Sequence, residues 1–397
     1  MRPTRSATNE RTPRLSRRAR PALGLAALLF LVPALASCSR RVDLEPLGNA
    51  GPEIRVLLLD KQERVKIAVF GPYEVWLSGG GEQPRKLFSG EDMGEKEARY
   101  RDLDVIIDGV VCTRQTVEII PQRVPVEVGG RRYRGSLRIS GRNGGLRVIN
   151  VLSMEGYLRG VVPGEMKSRW PAAALEAQAI AARSYALTRM ERRADGQFDV
   201  FATPADQNYL GLDRETERTN AAVAATSGAV LRYGGQVLPA YYHACCGGST
   251  AKARQVFGDT KKPLQGVRCT YCTRADLFKW EKTIPLNEAA RKLSVNDLIG
   301  LSLQVPGLDG RVAEVTLHRA DGSTLQMVGS TFRSRLGLLS TRFKLKAAGS
   351  DFVFEGGGYG HGVGLCQWGA KGMADIGRSR EQILEHYYPG ARIVKSY

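Results

Sequence analysis

The sequence predicts an α+β protein, in which a β-rich N-terminal part precedes a mixed α/β core with a long alanine-rich helix. Short runs rich in Val and Ile, separated by Gly or Pro, begin at Ile54 and continue to Leu152. Such runs are typical of strands. Residues 171–193 combine Ala with Leu, Glu, Gln and Arg, which favours one long helix. Beyond it, strand-like runs alternate with glycine-rich segments.

The first region, residues 1–37, predicts a signal peptide. It holds seven Arg and one Glu, and it contains an apolar run of about 15 residues that includes Pro33. This run is too short to predict a membrane span. The letters LASC end at Cys38 and resemble a bacterial lipobox, which implies cleavage before Cys38 and lipidation of its thiol and new amine. An ordinary signal peptide with an incidental cysteine is the alternative. We expect an exported lipoprotein that faces the periplasm or cell wall.

Three further regions follow the signal peptide. Residues 38–52 are polar and contain Pro and Gly, which predicts a tether from the membrane. Residues 53–144 predict a β-rich subdomain, and residues 145–397 predict the catalytic core.

Composition limits the class of partner. Hydrophobic content of 43% and charged content of 25% are ordinary for a soluble globular protein of 397 residues. The formal net charge is +18, of which about +6 lies in residues 1–37. The remaining excess suits an anionic partner such as a membrane surface, a nucleic acid or an acidic polymer. No basic motif interleaved with aromatic residues is present, so we expect no nucleic-acid binding.

The predicted long helix begins at Trp170–Pro171, because Pro is favoured in the first turn of a helix. Small and apolar residues recur on one face and predict close packing against a sheet; they are Leu175, Ala179, Ala182 and Ala186. Gln178 and Arg183 lie elsewhere on the helix and are expected to face a cleft.

Just ahead of this helix, Glu165 lies in a segment interrupted by Pro163 and Gly164, which predicts a loop. The residues alone leave two interpretations open: a solvated loop glutamate, or an acid fixed in place by the helix. Apolar groups that could raise the pKa of this acid lie nearby in Pro163, Met166 and Trp170.

A second set of residues has the spacing of metal ligands. His243-x-x-Cys246 and Cys269-x-x-Cys272 together predict a closed, structural zinc site with four ligands, and Cys245 is an adjacent spare. Disulfides are the alternative, for example Cys269–Cys272, because an oxidising compartment favours them.

Three long motifs resemble the SpoIID/LytB family of stage II sporulation protein D and amidase-enhancer proteins. They are VINVLSMEGYLRGVVPGEMKSRWPAAALEAQAIAARSYAL, YYHACCGGST and GYGHGVGLCQWGAKGMADIGRSREQILEHYYPG, and they cover roughly residues 145–390. The resemblance implies a lytic transglycosylase that cuts peptidoglycan glycan strands, preferentially strands stripped of peptides. It also implies zinc held by His and Cys in some members.

Residue roles follow from the resemblance. The glutamate of the motif VVPGEM, Glu165, is implied to be catalytic. Asp206, Gln207 and Tyr209 match a loop of the family. Their side chains are expected either to line the cleft or to stabilise the loop. His361 is expected to bind sugar or orient the acid, and Gln367 keeps the family pattern. Cys366 stands where the family usually has serine, which disfavours a Cys366–His361 nucleophile.

One carboxylate suffices for the implied reaction. A glutamic acid protonates the glycosidic oxygen, and the resulting carboxylate takes the proton of the muramic acid 6-hydroxyl to close a 1,6-anhydro ring, whereas hydrolysis usually needs two carboxyl groups. A second hypothesis is a non-catalytic module that binds glycan strands and activates a cell-wall amidase. A third, a zinc hydrolase, is disfavoured because thiolate-rich zinc is usually structural.

Overall fold

The computed structural model describes residues 43–47, 50–79, 81–305, 309–348 and 351–397. The predicted signal peptide and the lipidation site Cys38 lie outside these residues. Eight α-helices occur in the described ranges: α1 (Met154–Glu165), α2 (Ala172–Arg192), α3 (Glu217–Ala225), α4 (Ala253–Phe257), α5 (Leu286–Leu293), α6 (Gly329–Leu336), α7 (Gln367–Asp375) and α8 (Arg380–Tyr387). None of these described helices combines the length and the apolar character needed to cross a bilayer.

The strands of the N-terminal part are β1 (Glu53–Gln62), β2 (Arg64–Val69), β3 (Tyr73–Gly79), β4 (Glu82–Gly90), β5 (Gly94–Arg101), β6 (Asp104–Ile107), β7 (Val110–Cys112), β8 (Thr116–Pro121), β9 (Val126–Val128), β10 (Arg131–Tyr133), β11 (Ser136–Arg142) and β12 (Gly145–Ser153). Those that follow are β13 (Val200–Phe201), β14 (Ala229–Tyr233), β15 (Gln236–Val237), β16 (Tyr242–His243), β17 (Trp280–Pro285), β18 (Leu298–Gln304), β19 (Glu314–Arg319), β20 (Thr324–Val328), β21 (Phe343–Ala348), β22 (Asp351–Gly356), β23 (Leu365–Cys366) and β24 (Arg392–Lys395).

Two sheets build the N-terminal part. One has the order β13-β1-β12-β11-β8-β3-β4 and the other the order β10-β9-β2-β5-β6-β7. Alternate residues of their strands are buried, so each sheet contributes one face to the core. The α+β class predicted from the sequence is confirmed. The boundary predicted between residues 144 and 145 falls inside the β11–β12 hairpin, and β12 also pairs with β1.

The long helix α2 lies at the centre of the core. It packs against α1, α3, α7 and α8 and also against β14, a strand of the sheet β15-β14-β24, so both helices and a sheet cover it. Its alanines allow this close packing on several sides, because residues Ala177, Ala179, Ala181 and Ala182 are all fully buried.

Residues 280–356 form an inserted module between the second and third motifs. Its two three-stranded sheets have the orders β17-β22-β21 and β18-β19-β20, and α5 and α6 pack with them. A separate cluster of buried side chains, centred on Phe332, Phe343 and Phe354, forms its own core.

Candidate active site

Glu165 is the last residue of α1, and the loop predicted around it is wrong. The helix continues through Pro163 and Gly164, and a neighbouring segment, the 203–211 loop, supplies donors to carbonyls in its last two turns. Asn208 Nδ2 donates to the Gly164 carbonyl at 2.9 Å, and Leu210 N donates to the Gly160 carbonyl at 3.1 Å.

Glycine is required where the 203–211 loop crosses α1. A Cβ at Gly164 would collide with the carbonyl oxygen of Asn208, and a Cβ at Gly160 would collide with the ring of Tyr209. The missing side chains therefore allow the loop backbone to approach the helix closely enough to reach Glu165.

The carboxyl group of Glu165 is held by neutral donors from three distant segments. Asn208 N donates to Oε1 at 2.8 Å, and Gln367 Nε2 donates to Oε2 at 3.3 Å. The hydroxyl of Tyr242 is a third neutral group near the acid, and its effect as a donor is to lower the pKa of Glu165. Because the acid is partly buried without a cationic partner among these donors, it can exist in either protonation state.

Burial raises the pKa of Glu165 above its ordinary value, and the hydrogen bonds from Asn208, Gln367 and Tyr242 act in the opposite direction. The burial effect is the larger one. A raised pKa keeps more of the acid protonated near neutral pH, as a general acid requires.

Gln207 orients Tyr242. The Gln207 side-chain amide donates from Nε2 to the carbonyl of Ala182 at 3.2 Å and to Tyr242 Oη at 2.9 Å, while its Oε1 accepts from Tyr157 at 3.0 Å. Tyr242 Oη is therefore an acceptor from Gln207, and its own proton is free to point at Glu165. Burial raises the pKa of Tyr242 well above its ordinary value, so the phenol remains a donor.

Gln367 and Gln178 form a pair beside the acid. Gln367 Nε2 also lies 3.4 Å from Gln178 Oε1, and the Gln178 side chain has no exposed surface. Gln178 therefore acts on Gln367 rather than facing the cleft itself.

His361 contacts the strand that carries Tyr242. Its Nε2 lies 2.8 Å from the Tyr242 carbonyl, and its Nδ1 accepts from Val363 N at 3.1 Å. This pattern fixes the neutral tautomer with the proton on Nε2. Burial lowers the pKa of His361 to about 4. The ring positions Tyr242 through its backbone.

Asp206 and Tyr209 stabilise the 203–211 loop. The carboxylate of Asp206 has no exposed surface, and its partners are Tyr185, Phe201, Arg189 and Arg193. Tyr209 is buried and donates to Asn150 Oδ1 at 2.9 Å. Of the two interpretations that the sequence left open for this loop, these contacts favour loop stabilisation.

Arg183 does not face a cleft. The side chain is completely buried and forms a bidentate ion pair with Glu155, at 2.9 Å from Nε and 2.7 Å from Nη2. Its Nη1 donates to the carbonyl of Ala229. The reason is that α2 is surrounded by other elements, so a polar residue on its far side still points into the core.

The predicted metal ligands are only partly brought together. The sulfurs of Cys246, Cys269, Cys272 and Cys366, here named the thiol cluster, lie within 4.8 Å of one another. His243 is not a member; its Nδ1 faces the Val363 carbonyl at 3.1 Å and its ring packs against His361. The structure therefore brings three of the four predicted ligands together and places Cys366, rather than His243, beside them. Cys366 is paired with His243 across strands β23 and β16.

Sequence reasoning missed three participants at the site. Asn208 acts through its backbone, which no side-chain pattern reveals. Tyr242 is adjacent to Tyr241, and nothing in the local pattern distinguishes the two. Cys366 lies within the third motif, but its distance along the chain from Cys272 gave no ligand spacing.

Comparison with known proteins identifies the family. The family model described as SpoIID, stage II sporulation protein, matches residues 142–233. Stage II sporulation protein D of Bacillus subtilis is 30% identical over 265 residues, which cover 62% of this chain and 75% of that protein. The chain belongs to the SpoIID family. The confirmed resemblance spans α1, α2 and the 203–211 loop.

Two other relatives extend the SpoIID comparison. An uncharacterized protein of Brachyspira hyodysenteriae is 31% identical over 351 residues, which cover 86% of this chain and 92% of that protein. An amidase enhancer of Bacillus subtilis is 30% identical over 288 residues, which cover 59% of this chain and 40% of that protein. Together, the SpoIID family and its named members support a role related to the cell wall.

Proposed function

We propose that this protein is a peptidoglycan lytic transglycosylase in which Glu165 acts first as the acid and then as the base. The observation that supports this proposal is the environment of the Glu165 carboxyl group. Burial keeps this group protonated to higher pH, and Asn208, Gln367 and Tyr242 stabilise the carboxylate that forms next. Both states needed by the reaction therefore have support from the surrounding side chains and backbone.

The reaction has two proton transfers. Protonated Glu165 donates to the oxygen between N-acetylmuramic acid and N-acetylglucosamine, and the bond from C1 of the muramic acid to that oxygen breaks through an oxocarbenium-like state. The carboxylate then takes the proton of the muramic acid 6-hydroxyl, whose oxygen bonds to C1. The products are a 1,6-anhydro end and a free 4-hydroxyl on N-acetylglucosamine, and Glu165 is protonated again.

The state of Asp206 supports anhydro-ring closure over hydrolysis. Hydrolysis usually needs a second carboxyl group to activate water or to attack the sugar. Asp206 is the carboxylate of the loop that matches the family, and its oxygens are occupied by two arginines, a tyrosine hydroxyl and a backbone amide. With no exposed surface, this carboxylate cannot reach a glycan.

The decisive experiment is digestion of purified glycan strands with and without stem peptides, followed by mass spectrometry of the products. We expect 1,6-anhydromuramic acid ends, formed faster from peptide-stripped strands. Reducing muramic acid ends would mean hydrolysis and would overturn the proposal.

A second candidate function is activation of a cell-wall amidase by a non-catalytic glycan-binding module. Similarity to the amidase enhancer of Bacillus subtilis favours it. In this case neither the wild type nor Glu165→Gln would cleave strands, and both would stimulate a cell-wall N-acetylmuramoyl-L-alanine amidase equally.

The proposed site of action requires export. We propose that the protein is anchored to a membrane through lipidated Cys38, on the basis of the LASC sequence that follows an arginine-rich segment and an apolar run. Cys38→Ala should move the protein from the membrane fraction to the soluble fraction. An unmodified Cys38 in the mature protein, or an unchanged membrane fraction for the variant, would contradict the anchor.

A further inference from the structure

We infer that Cys246, Cys269, Cys272 and Cys366 bind one zinc ion as a closed tetrathiolate site, and that this site fixes Tyr242 and Gln367 beside Glu165. The metal-binding part stands on the thiol cluster alone. The positioning part rests on the proposed function, because it concerns the acid of that reaction.

The four sulfurs have the spacing of a tetrahedral metal site. With a Zn–S distance of about 2.3 Å, the edges of a tetrahedron of sulfurs measure about 3.8 Å. Cys246 Sγ and Cys272 Sγ lie 3.5 Å apart, and all four sulfurs fall within 4.8 Å of one another. Each of these residues is completely buried, which matches a structural zinc site without an open position for water.

The backbone around the cluster presents hydrogen-bond donors to sulfur. Cys246 N and Gly369 N point at Cys366 Sγ at 3.2 and 3.3 Å, and Gly248 N points at Cys246 Sγ at 3.4 Å. Donors aimed at a buried sulfur stabilise the thiolate over the thiol. These contacts are the outer partners that orient and tune metal ligands.

Glycine at position 369 makes room for the cluster. A Cβ at Gly369 would collide with the hydroxyl of Tyr387 and would lie 2.8 Å from Cys269 Sγ. The first turn of α7 therefore has to lack a side chain where it faces the sulfurs.

The charge of the metal site is complemented by Arg311. Four thiols that lose their protons to bind Zn²⁺ leave a net charge of −2 in the core, and a buried charge requires a partner. Arg311 is 95% buried, and none of the ion pairs found among the described residues includes it. Its Nη2 donates to the carbonyl oxygens of Cys246 at 3.0 Å and Ser249 at 3.3 Å. The cation therefore contacts the backbone of Cys246, one of the four ligands.

Zinc fits this donor set better than other common divalent ions. Soft thiolates select zinc, copper(I) or iron–sulfur clusters, whereas magnesium and calcium require oxygen ligands. The closed tetrahedral arrangement of four sulfurs favours zinc or iron. Iron–sulfur chemistry is therefore the rival that the test has to separate.

The thiol cluster is linked covalently to the site of Glu165. Cys366 is the N-cap of α7, and the next residue, Gln367, donates to Glu165 Oε2. Cys366 also ends β23, which pairs with β16, where Tyr242 begins the strand. Binding of the metal at Cys366 thus fixes two of the three donors to the acid.

Metal content of the full chain, purified without chelator, tests the ligand set. We expect about one zinc per chain, by the rule of four ligands per closed site. Cys272→Ser and Cys366→Ser should lose most of this zinc. The matched controls His243→Asn and Cys112→Ser, which alter a buried histidine and a buried cysteine outside the cluster, should retain it.

Cobalt substitution tests the site without any variant, in case the serine variants do not fold. Co²⁺ exchanged into the wild type should give the intense visible bands of tetrahedral coordination and strong thiolate-to-cobalt charge transfer. Loss of zinc from His243→Asn with retention in Cys366→Ser would restore the ligand set expected from the sequence. Disulfides among the four cysteines of freshly isolated protein, or bound iron and sulfide, would overturn the zinc site.

Hydrogen exchange tests the positioning role independently of turnover. Removal of zinc by a chelator should accelerate amide exchange in α7 more than in α3, which lies outside the cluster. Exchange in α7 that rises no more than exchange in α3 would overturn the positioning role. None of these measurements uses glycan cleavage. The zinc site can therefore be disproved without disproving the transglycosylase, and the transglycosylase can be disproved without disproving the zinc site.

Discussion

Gln367 Nε2 lies 3.3 Å from the carboxylate of Glu165, although 202 residues separate the two along the chain. The backbone amide of Asn208 lies 2.8 Å from the other carboxylate oxygen. The site around this acid is therefore formed by the end of α1, the 203–211 loop and the start of α7. The protonation and position of the acid thus depend on tertiary packing rather than on the local VVPGEM sequence.

Tyr242→Phe should shift the pH dependence of cleavage. The Tyr242 hydroxyl lowers the pKa of Glu165, so its loss raises that pKa and keeps the acid protonated to higher pH. The alkaline limb of the kcat/KM profile should therefore move to higher pH, and the maximal rate should fall about ten-fold for one lost hydrogen bond. Tyr397→Phe, which loses a contact with Glu155, is the control with an unchanged profile. A limb that moves to lower pH would contradict the assigned donor.

Glu165→Gln should stabilise the fold in a pH-dependent way. Since burial raises the pKa of Glu165 in the folded state, the folded protein binds more protons than the unfolded chain, and the wild type loses stability as pH rises from the unfolded pKa through the folded one. Glutamine has no such loss, so the variant should have the higher Tm at mildly alkaline pH. The advantage should disappear at acid pH, below the ordinary glutamate pKa of about 4.3. Thermal unfolding across pH measures this, with the exposed Glu191→Gln as control; a pH-independent difference would count against a raised pKa.

Arg183→Met should destabilise the protein rather than weaken glycan binding. The change leaves the Glu155 carboxylate buried without its ion-pair partner, which typically costs about 3–5 kcal/mol in the free energy of unfolding. Arg380→Met removes a partly exposed pair with Glu176 and should cost at most about 1 kcal/mol. Urea denaturation compares the two. If Arg183→Met is as stable as Arg380→Met but has a raised KM, Arg183 would instead have to be assigned to substrate binding.

Gly164→Ala should impair cleavage although it does not change Glu165 itself. The new methyl group would collide with the Asn208 carbonyl and push the 203–211 loop away from the acid. A displacement of about 1 Å in a catalytic group can reduce the rate about 100-fold. Gly300→Ala, where a Cβ meets only ordinary contacts, is the matched control. Unchanged kcat for Gly164→Ala would show that the close loop contact is not needed.

The sequence predicted those elements whose signals are local. The long helix α2 is confirmed, because its alanine-rich composition and the proline at its start act within a few residues. Strands such as β5, with the sequence GEKEARYR, had no recognisable pattern. Only one of its residues is buried, so hydrophobic alternation is lost.

The site itself was only partly predictable, because its decisive contacts join distant segments. Pro163 and Gly164 predicted a loop, yet the helix continues to Glu165, and carbonyls in its last two turns accept from Asn208 and Leu210. Spacing favoured His243 as a metal ligand, whereas strand pairing brings Cys366 to the other thiols. A local sequence pattern does not show whether His243 or Cys366 will lie beside the other three thiols, because strand pairing decides this.

The most direct test of the central claim is the single-turnover rate of Glu165→Gln on peptide-stripped glycan strands, measured beside the wild type. Glutamine keeps the size and hydrogen-bonding shape of the side chain but cannot donate the proton. We predict a rate lower by about 10²–10⁴, the usual effect of losing a general acid–base group, with glycan binding and fold preserved. Cleavage by Glu165→Gln as fast as by the wild type would contradict the assignment of Glu165 as the acid.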